Sequence, residues 1–463
     1  MLVFNILFFF SIILLGDIMN IFLNDIISLI NGNILCGENT PLNSFSINSK
    51  EINEDDIFVG IKGETIDGSK FYLDALKNGA KGAIINKGFY TESIDNKFVV
   101  EVEDTTLALQ QIASYKRSKI NIPVVAITGS VGKTSTKDMI SSVLETKYKV
   151  CKTKGNLNNH LGVPLTILSL KDEDILVVEM GMNHLGEISV LSNIAKPTIG
   201  VITNVGTAHI GNLGSREKIL KAKLEILDGM NNGKLVINND NDMLHNWYLN
   251  NKENVITIGI NNDSDYIATD ISYGDITSFK YNNEEIIVKV GGEAFVYNAL
   301  VGIAVGSLLN IDINDIKKGI SNLELSHNRL EIIEKNGYKI INDCYNANYD
   351  SMKEGINNLY KYSNRKIAVL GDMLELGDYS EELHRKVGKE INSNIDILVT
   401  VGEESKYIDE EANSKEKYHF NNNIDAINYL KNTITNGDTI LVKASNGMKF
   451  KEIVSELSGG KNE

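Results

Sequence analysis

Apolar runs of four or five residues, separated by polar turns and by stretches with helical spacing, organise most of this chain. From Pro123 onward the runs "PVVAITGS", "DILVVEMG", "TIGVITNVG" and "GKLVINND" are each followed by apolar residues at helical intervals. Strands alternating with helices in this way predict a mostly parallel sheet with helices on both faces. Residues 20–104 show shorter alternations, "DDIFVGIKG", "GAKGAIIN" and "KFVVEVED", which predict a small α/β domain. The helix-patterned "TTLALQQIASYKRSKI" then leads into the Pro123 strand. Between 255 and 292 the runs become shorter ("YIATDISY", "TSFKYN", "EEIIVKVGG"), as an antiparallel extension would require. A further α/β block ("YKIINDCYN", "RKIAVLGDM", "DILVTVG", "DTILVKASN") begins near 325–329, and the asparagine- and lysine-rich segment around 413–428 reads as an exposed loop and edge.

The length of 463 residues agrees with about three domains. A net charge of −15 without a long Lys/Arg block excludes a nucleic-acid partner, so an anionic ligand has to be held by local devices. Cys36, Cys151 and Cys344 are widely spaced and form no CxxC pair, which suits a reducing cytosol. The apolar N-terminus, Leu2–Leu15, is broken by Asn5 and Ser11 and falls short of the roughly 20 residues that span a bilayer. No Lys or Arg precedes Lys50, and no A-x-A cleavage pattern follows. Residues 1–19 therefore read as an over-extended start or a weak hydrophobic leader. "MNIFLNDIISLING", from Met19, reads as the first amphipathic helix of a cytoplasmic protein with no stable membrane insertion.

One stretch carries chemistry by its own pattern. In "VVAITGSVGKTSTKDMI" a buried-strand run enters a small-residue turn, and Lys133-Thr134 opens a helix. Backbone N–H groups of such a loop wrap a triphosphate, the lysine neutralises β/γ oxygens and the hydroxyl reaches Mg²⁺. The plainer alternative is a strand-to-helix turn with Thr134-Ser135-Thr136 as capping residues. The strict motif wants a glycine where Ile127 stands, and TGSxGKT is a variant of it.

That variant resembles the phosphate loop of the Mur ligases, the ATP-dependent amide-bond-forming enzymes of peptidoglycan assembly. "TKGNLNNHLGVPLTILSL", "VVEMGMNHLGEISVLSNIAKPTIGVITNVGTAHIGNLGSREKILKAKLEI", "NRLEIIEKNGYKIINDCYNANYDSM" and "AVLGDMLELGDYSEELHRKVG" are similar to segments of the branch that adds D-alanyl-D-alanine. Together they reach over most of residues 45–450. The resemblance implies three α/β domains: a small N-terminal UDP-substrate domain (20–104), a central ATP-binding domain with a P-loop-type, mostly parallel sheet (105–325), and a C-terminal Rossmann-like ligase domain (326–457). It implies a monomer that takes UDP-N-acetylmuramoyl-tripeptide, D-alanyl-D-alanine and ATP, with Mg²⁺. Other ligases of the superfamily, and a nucleotide-binding regulator without turnover, are the competing readings.

Site residues follow from the same resemblance. Thr128, Gly129, Ser130, Val131, Gly132, Lys133, Thr134 and Ser135 would hold ATP, with Asn298, Arg329, Asp343 and Asn346 from elsewhere in the chain. Lys133, Glu179, His209 and Lys223 would be catalytic, and Thr134, Glu179, His209 and Lys223 would surround metal. By spacing alone Glu179 could equally be a capping glutamate, His209 a structural histidine, and Lys223 part of a solvated helix face with Lys218 and Lys221. The resemblance makes Lys223 a lysine that reacts with CO₂ to form a carbamate. Ser49, Lys50, Asn156, Asn158, Asn159 and Asn348 would meet the other substrates. Lys50, Ala294 and Asn342 depart from the family's usual arginine, histidine and aspartate.

Overall fold

The computed structural model describes residues 21–274, 276–325 and 331–459. The expected leader at 1–19 and Arg329 lie outside the described residues. The first helical turn, Leu23–Ile27, is shorter than the sequence pattern suggests and gives way to strand.

Three main sheets follow one another along the chain. The first has β1 (Asn33–Cys36), β2 (Ser44–Ser46), β3 (Asp56–Val59), β4 (Gly82–Asn86) and β5 (Phe98–Val102), in the order β1-β5-β4-β3-β2, with only the β1–β5 pair antiparallel. Helix α1 (Thr105–Lys119) leaves this sheet and packs on the next one through Leu109, Ile112 and Ala113. Asp104 caps α1 by accepting from the amides of Thr106 (2.8 Å) and Leu107 (3.0 Å). At its other end Lys116 donates to the carbonyls of Leu168 (2.8 Å) and Leu170 (2.6 Å), and Arg117 to that of Ala195 (2.8 Å). These carbonyls close two helices of the central block, so buried cations here satisfy helix C-termini.

The central sheet contains β6 (Val124–Thr128), β7 (Val150–Lys152), β8 (Ile175–Glu179), β9 (Ile199–Ile202), β10 (Lys234–Asn238), β11 (Val255–Gly259) and β12 (Tyr266–Ile267). Its order is β12-β11-β10-β9-β6-β8-β7, and every pair is parallel. All residues of β6 and β8 are buried, the near-continuous apolar run that a sheet covered on both faces demands. Helices α2 (Lys133–Leu144) and α3 (Glu293–Leu308) cover one face, with Met139, Ile140 and Val143 packed among Val296, Leu300 and Ile303. Val255–Gly259 and Tyr266–Ile267 extend this parallel sheet, and the antiparallel extension is confined to Thr269–Ser272, Thr277–Tyr281 and Glu284–Val288.

The third sheet has β13 (Glu331–Lys335), β14 (Tyr338–Asn342), β15 (Lys366–Gly371), β16 (Ile397–Val401), β17 (Glu416–Phe420) and β18 (Thr439–Lys443), in the order β13-β14-β18-β15-β16-β17. Only β13 runs antiparallel to its neighbour. The segment expected as a loop at 413–428 supplies the edge strand β17 and the start of helix Asn423–Thr433. Its exposed, polar composition is that of an edge, and pairing with β16 is what orders it. No helix among the described residues is long and apolar enough to cross a membrane. Removing the α1 cap with Asp104→Ala is expected to lower stability by about 1 kcal/mol in urea unfolding, without altering the far-UV spectrum.

Candidate active site

Strand β6 lies at the sheet's change of direction, since β7 and β8 pair to one side of it and β9 to the other. A loop following such a strand opens into the crevice where parallel sheets bind ligands. Gly132 stands at the N-cap of α2 with φ +81°, a left-handed conformation that favours glycine, and no side chain caps the helix. An uncapped helix N-terminus after a buried strand is an anion-binding end. Lys133 Nζ donates back to the Gly129 carbonyl at 2.8 Å.

The loop is clamped from β9 by residues that the sequence did not single out. The amides of Ser130 and Val131 donate to Asn204 Oδ1 at 3.1 and 3.0 Å, and Asn204 Nδ2 donates to the Val131 carbonyl at 3.1 Å. Thr203 Oγ1 donates to the same carbonyl at 2.6 Å, and the Gly206 amide donates to Ser130 Oγ at 2.9 Å. Two amides expected to face phosphate are therefore occupied by Asn204, and the first turn of α2 is the remaining anion end. The only sequence signal was the polar run that follows β9 in "ITNVGTAH". Thr128 is buried, with its Oγ1 unpartnered.

Glu179 ends β8 opposite Ile127 of β6. Thr134 Oγ1 donates to its Oε2 at 2.8 Å and Asn158 Nδ2 to its Oε1 at 2.8 Å, while its amide donates to Thr153 Oγ1 at 3.0 Å. The carboxylate is thus aimed at the start of α2. Among the described residues no three His, Cys, Asp or Glu side chains form a metal cluster. Mg²⁺ needs none, because it is commonly held by one or two carboxylates, waters and the phosphates of its nucleotide. The Thr134–Glu179 pair fits that demand.

Lys223 lies near the end of helix α4 (Arg216–Leu224) and is 1% exposed, whereas Lys218 and Lys221 are exposed. The solvated-face reading therefore fails for Lys223 alone. Burial and the Lys133 ammonium push its pKa well below the ordinary lysine range. His209 sits on a short connection after β9 with φ +62°, and its Nδ1 meets Glu375 Oε2 at 2.9 Å.

The third sheet's block closes over this region. Asp350, at the start of helix α5 (Tyr349–Tyr360), accepts from the Thr207 amide (2.8 Å) and hydroxyl (3.1 Å), and Tyr379 donates to the Gly214 carbonyl at 2.7 Å. Near the other end of α5, Lys361 lies over the Tyr273 ring of the antiparallel extension, 5.6 Å from its centre. Other expected site residues have local partners. Asp343 accepts from the buried Lys443 at 2.6 Å, Lys443 also reaches the Asn346 carbonyl at 3.2 Å, and Asn346 Oδ1 accepts from the Ala347 amide at 2.9 Å. Asn348 caps α5 through the Ser351 amide at 2.9 Å, Asn159 accepts from the Gly162 amide at 2.9 Å, and Asn298 accepts from Thr136 at 2.7 Å. Asn156 and Lys50 are exposed, and the Ser49 carbonyl accepts from Asn78 at 3.0 Å in the turn after β2. Between the first and central sheets runs a cleft of about 980 Å³, lined among others by Phe45, Ser46, Asn53, Lys152 and Lys154.

The order and content of these sheets recur in known proteins. The Mur ligase middle domain matches residues 127–306, and the Mur ligase, glutamate ligase domain matches residues 328–446. The UDP-N-acetylmuramoyl-tripeptide–D-alanyl-D-alanine ligase of Bacillus subtilis (strain 168) is 38% identical over 91% of this chain and 94% of its own. This chain belongs to the Mur ligase family. The ligase of the same name from Escherichia coli (strain K12) is 32% identical over 94% of this chain and 98% of its own. Among solved structures, MurF from Acinetobacter baumannii superposes with a TM-score of 0.85 at 29% identity, covering 96% of this chain and 98% of that one. MurF from Thermotoga maritima, solved in complex with ADP, gives 0.78 at 31% identity, covering 90% and 97%. As a Mur ligase, the chain is an ATP-dependent ligase of peptidoglycan precursor synthesis.

Because the folded state holds the Lys223 proton less tightly than the unfolded chain does, this residue costs stability increasingly as pH falls below the ordinary lysine range. Lys223→Met is therefore expected to raise Tm by a few degrees at pH 7, with the gain shrinking towards pH 10, while ligase activity is lost. Thermal melts across that range in CO₂-free buffer check the sign.

Proposed function

We propose that this chain joins UDP-N-acetylmuramoyl-tripeptide to D-alanyl-D-alanine in the cytoplasm, converting ATP to ADP and phosphate. The observation that carries this reading is the Thr134–Glu179 hydrogen bond of 2.8 Å at the start of α2. It joins a carboxylate and a hydroxyl at an uncapped helix N-terminus, a combination that supports binding of a nucleoside triphosphate with its Mg²⁺. The names of the relatives supply the other two substrates.

The chemistry requires a substrate carboxylate oxygen to bond to the γ-phosphorus while the bond to ADP breaks. The amine nitrogen then bonds to the acyl carbon, phosphate leaves and the amine gives up a proton. The first step brings two anions together, so positioning and charge neutralisation supply most of the rate. Lys133 and the first turn of α2 hold the transferring phosphoryl group. Glu179, Thr134 and His209 would hold the magnesium ions, which when bound would screen the phosphate charge. Lys223, whose proton is held less tightly because of burial and the Lys133 ammonium, reacts with CO₂ through its unprotonated nitrogen. The N–C bond forms as a proton leaves, and the carbamate is an anion beside the Lys133 cation. Asn156 and Asn158 border the acceptor side, and the cleft carrying Lys152 and Lys154 receives the UDP portion, reached by Ser49 and Lys50 from the turn after β2. Asp343 and Asn346 would serve the nucleotide from the third sheet's block. The domain limits 20–104, 105–325 and 326–457, and a monomeric state, belong to the same reading.

Phosphate release with UDP-N-acetylmuramoyl-tripeptide and Mg²⁺ is expected only when D-alanyl-D-alanine is added. Release with single amino acids instead would keep the ligase and reject this acceptor. No release with any amine from folded, ATP-binding protein would reject the reaction. Lys133→Ala is expected to lower kcat about 100-fold or more in the same assay, with Tm unchanged.

A further inference from the structure

The geometry points to Glu375 as a positioning residue that fixes His209 from the facing third block, so that the third sheet's block completes the metal site of the central one. This rests on the reading of His209 as a magnesium ligand. The first observation is the contact itself, His209 Nδ1 to Glu375 Oε2 at 2.9 Å. A carboxylate oxygen accepts and Nδ1 donates in this contact, which leaves Nε2 as the ring nitrogen through which a cation could be met. A carboxylate behind a metal-binding imidazole fixes ring orientation and raises basicity.

The second observation is backbone conformation on both sides of that contact. His209 has φ +62° and Glu375 φ +65°, and neither is glycine. Residues held in this region cluster where a side chain's direction matters more than local ease. The third is the approach of the two segments. A Cβ on Gly211 would lie 2.6 Å from the Glu375 carbonyl oxygen, so this backbone proximity requires glycine there.

The loop that presents Glu375 is itself anchored in the interior. His384, fully buried, accepts from the Met373 amide through Nε2 at 2.9 Å while its Nδ1 donates to the Ser380 carbonyl at 2.8 Å. The Leu374 amide donates to Ser445 Oγ at 2.9 Å. Asp372 accepts from the amides of Glu403, Glu404 and Ser405 at 3.1, 3.1 and 2.7 Å. The stretch "LGDMLELG" with His384 thus builds a rigid mount, and Glu375 is the side chain it carries across to His209.

The test is Mn²⁺ binding with ADP to the full chain, followed by electron paramagnetic resonance with detection of imidazole ¹⁴N coupling. Glu375→Gln is expected to weaken Mn²⁺ about 10-fold and to alter the nitrogen coupling. Glu375→Gly is expected to show the same loss with a Tm above that of the parent, because it relieves the left-handed backbone; a purely structural residue would not give this opposition. Tyr379→Phe, which removes another contact between the two blocks, is expected to leave Mn²⁺ affinity within two-fold. If His209→Ala loses the coupling and weakens binding while Glu375→Gln does neither, the positioning role is refuted and the metal reading stands. If His209→Ala changes nothing, the metal reading itself falls. An equal loss in Tyr379→Phe would assign the effect to docking and overturn the role of Glu375.

Discussion

A lysine that is 1% exposed, with another ammonium as the charged group acting on it, is the constraint from which the rest of this site follows. Burying an unpaired cation is costly, and proteins relieve the cost by neutralising or pairing it. Here the relief is a lowered proton affinity, caused by burial and the Lys133 ammonium. Lys133 cannot retreat, because it opens the helix that the phosphate loop feeds. The central sheet therefore brings together the Lys133 ammonium, the buried Lys223 amine and the carboxylate of Glu179. Each stands at or beyond the carboxyl end of the parallel strands, as an open parallel sheet dictates.

None of this is complete within one sheet. Thr207, His209 and Gly214 of the central block meet Asp350, Glu375 and Tyr379 of the third, so site geometry and domain arrangement are one variable. Helix α5 reaches from Asp350, beside the phosphate-loop clamp, to Lys361 above Tyr273. A reactive acyl phosphate is protected from water by closure of this kind. The buried cations at the end of α1 tie the first sheet's exit helix to the central block in the same spirit, by satisfying helix carbonyls.

The sheets were legible in the sequence because strands covered on both faces read as unbroken apolar runs, and β6, β8, β9 and β10 all do. Where one face is open the signal faded: β17 is an exposed, polar strand in an asparagine-rich stretch, and only its pairing with β16 reveals it. The loop from Gly129 to Thr134 was legible because its chemistry is local. Asn204 was not, since its role is to hold a loop more than 70 residues earlier in the chain (about that separation for Ser130 and Val131). Lys223 was indistinguishable by spacing from Lys218 and Lys221, and burial alone separates them. Asn348 and Asn159 show the reverse, polar residues in a site-like context whose side chains cap helices or helical turns.

The most direct test of the central claim, that this site transfers a phosphoryl group to a carboxylate, is oxygen tracing. The α-carboxylate of the tripeptide substrate would be labelled with ¹⁸O, and the phosphate released during one turnover with ATP and D-alanyl-D-alanine analysed by mass. One ¹⁸O atom per phosphate is predicted, because the acyl phosphate's bridging oxygen leaves with phosphorus. Unlabelled phosphate formed together with product would contradict the account.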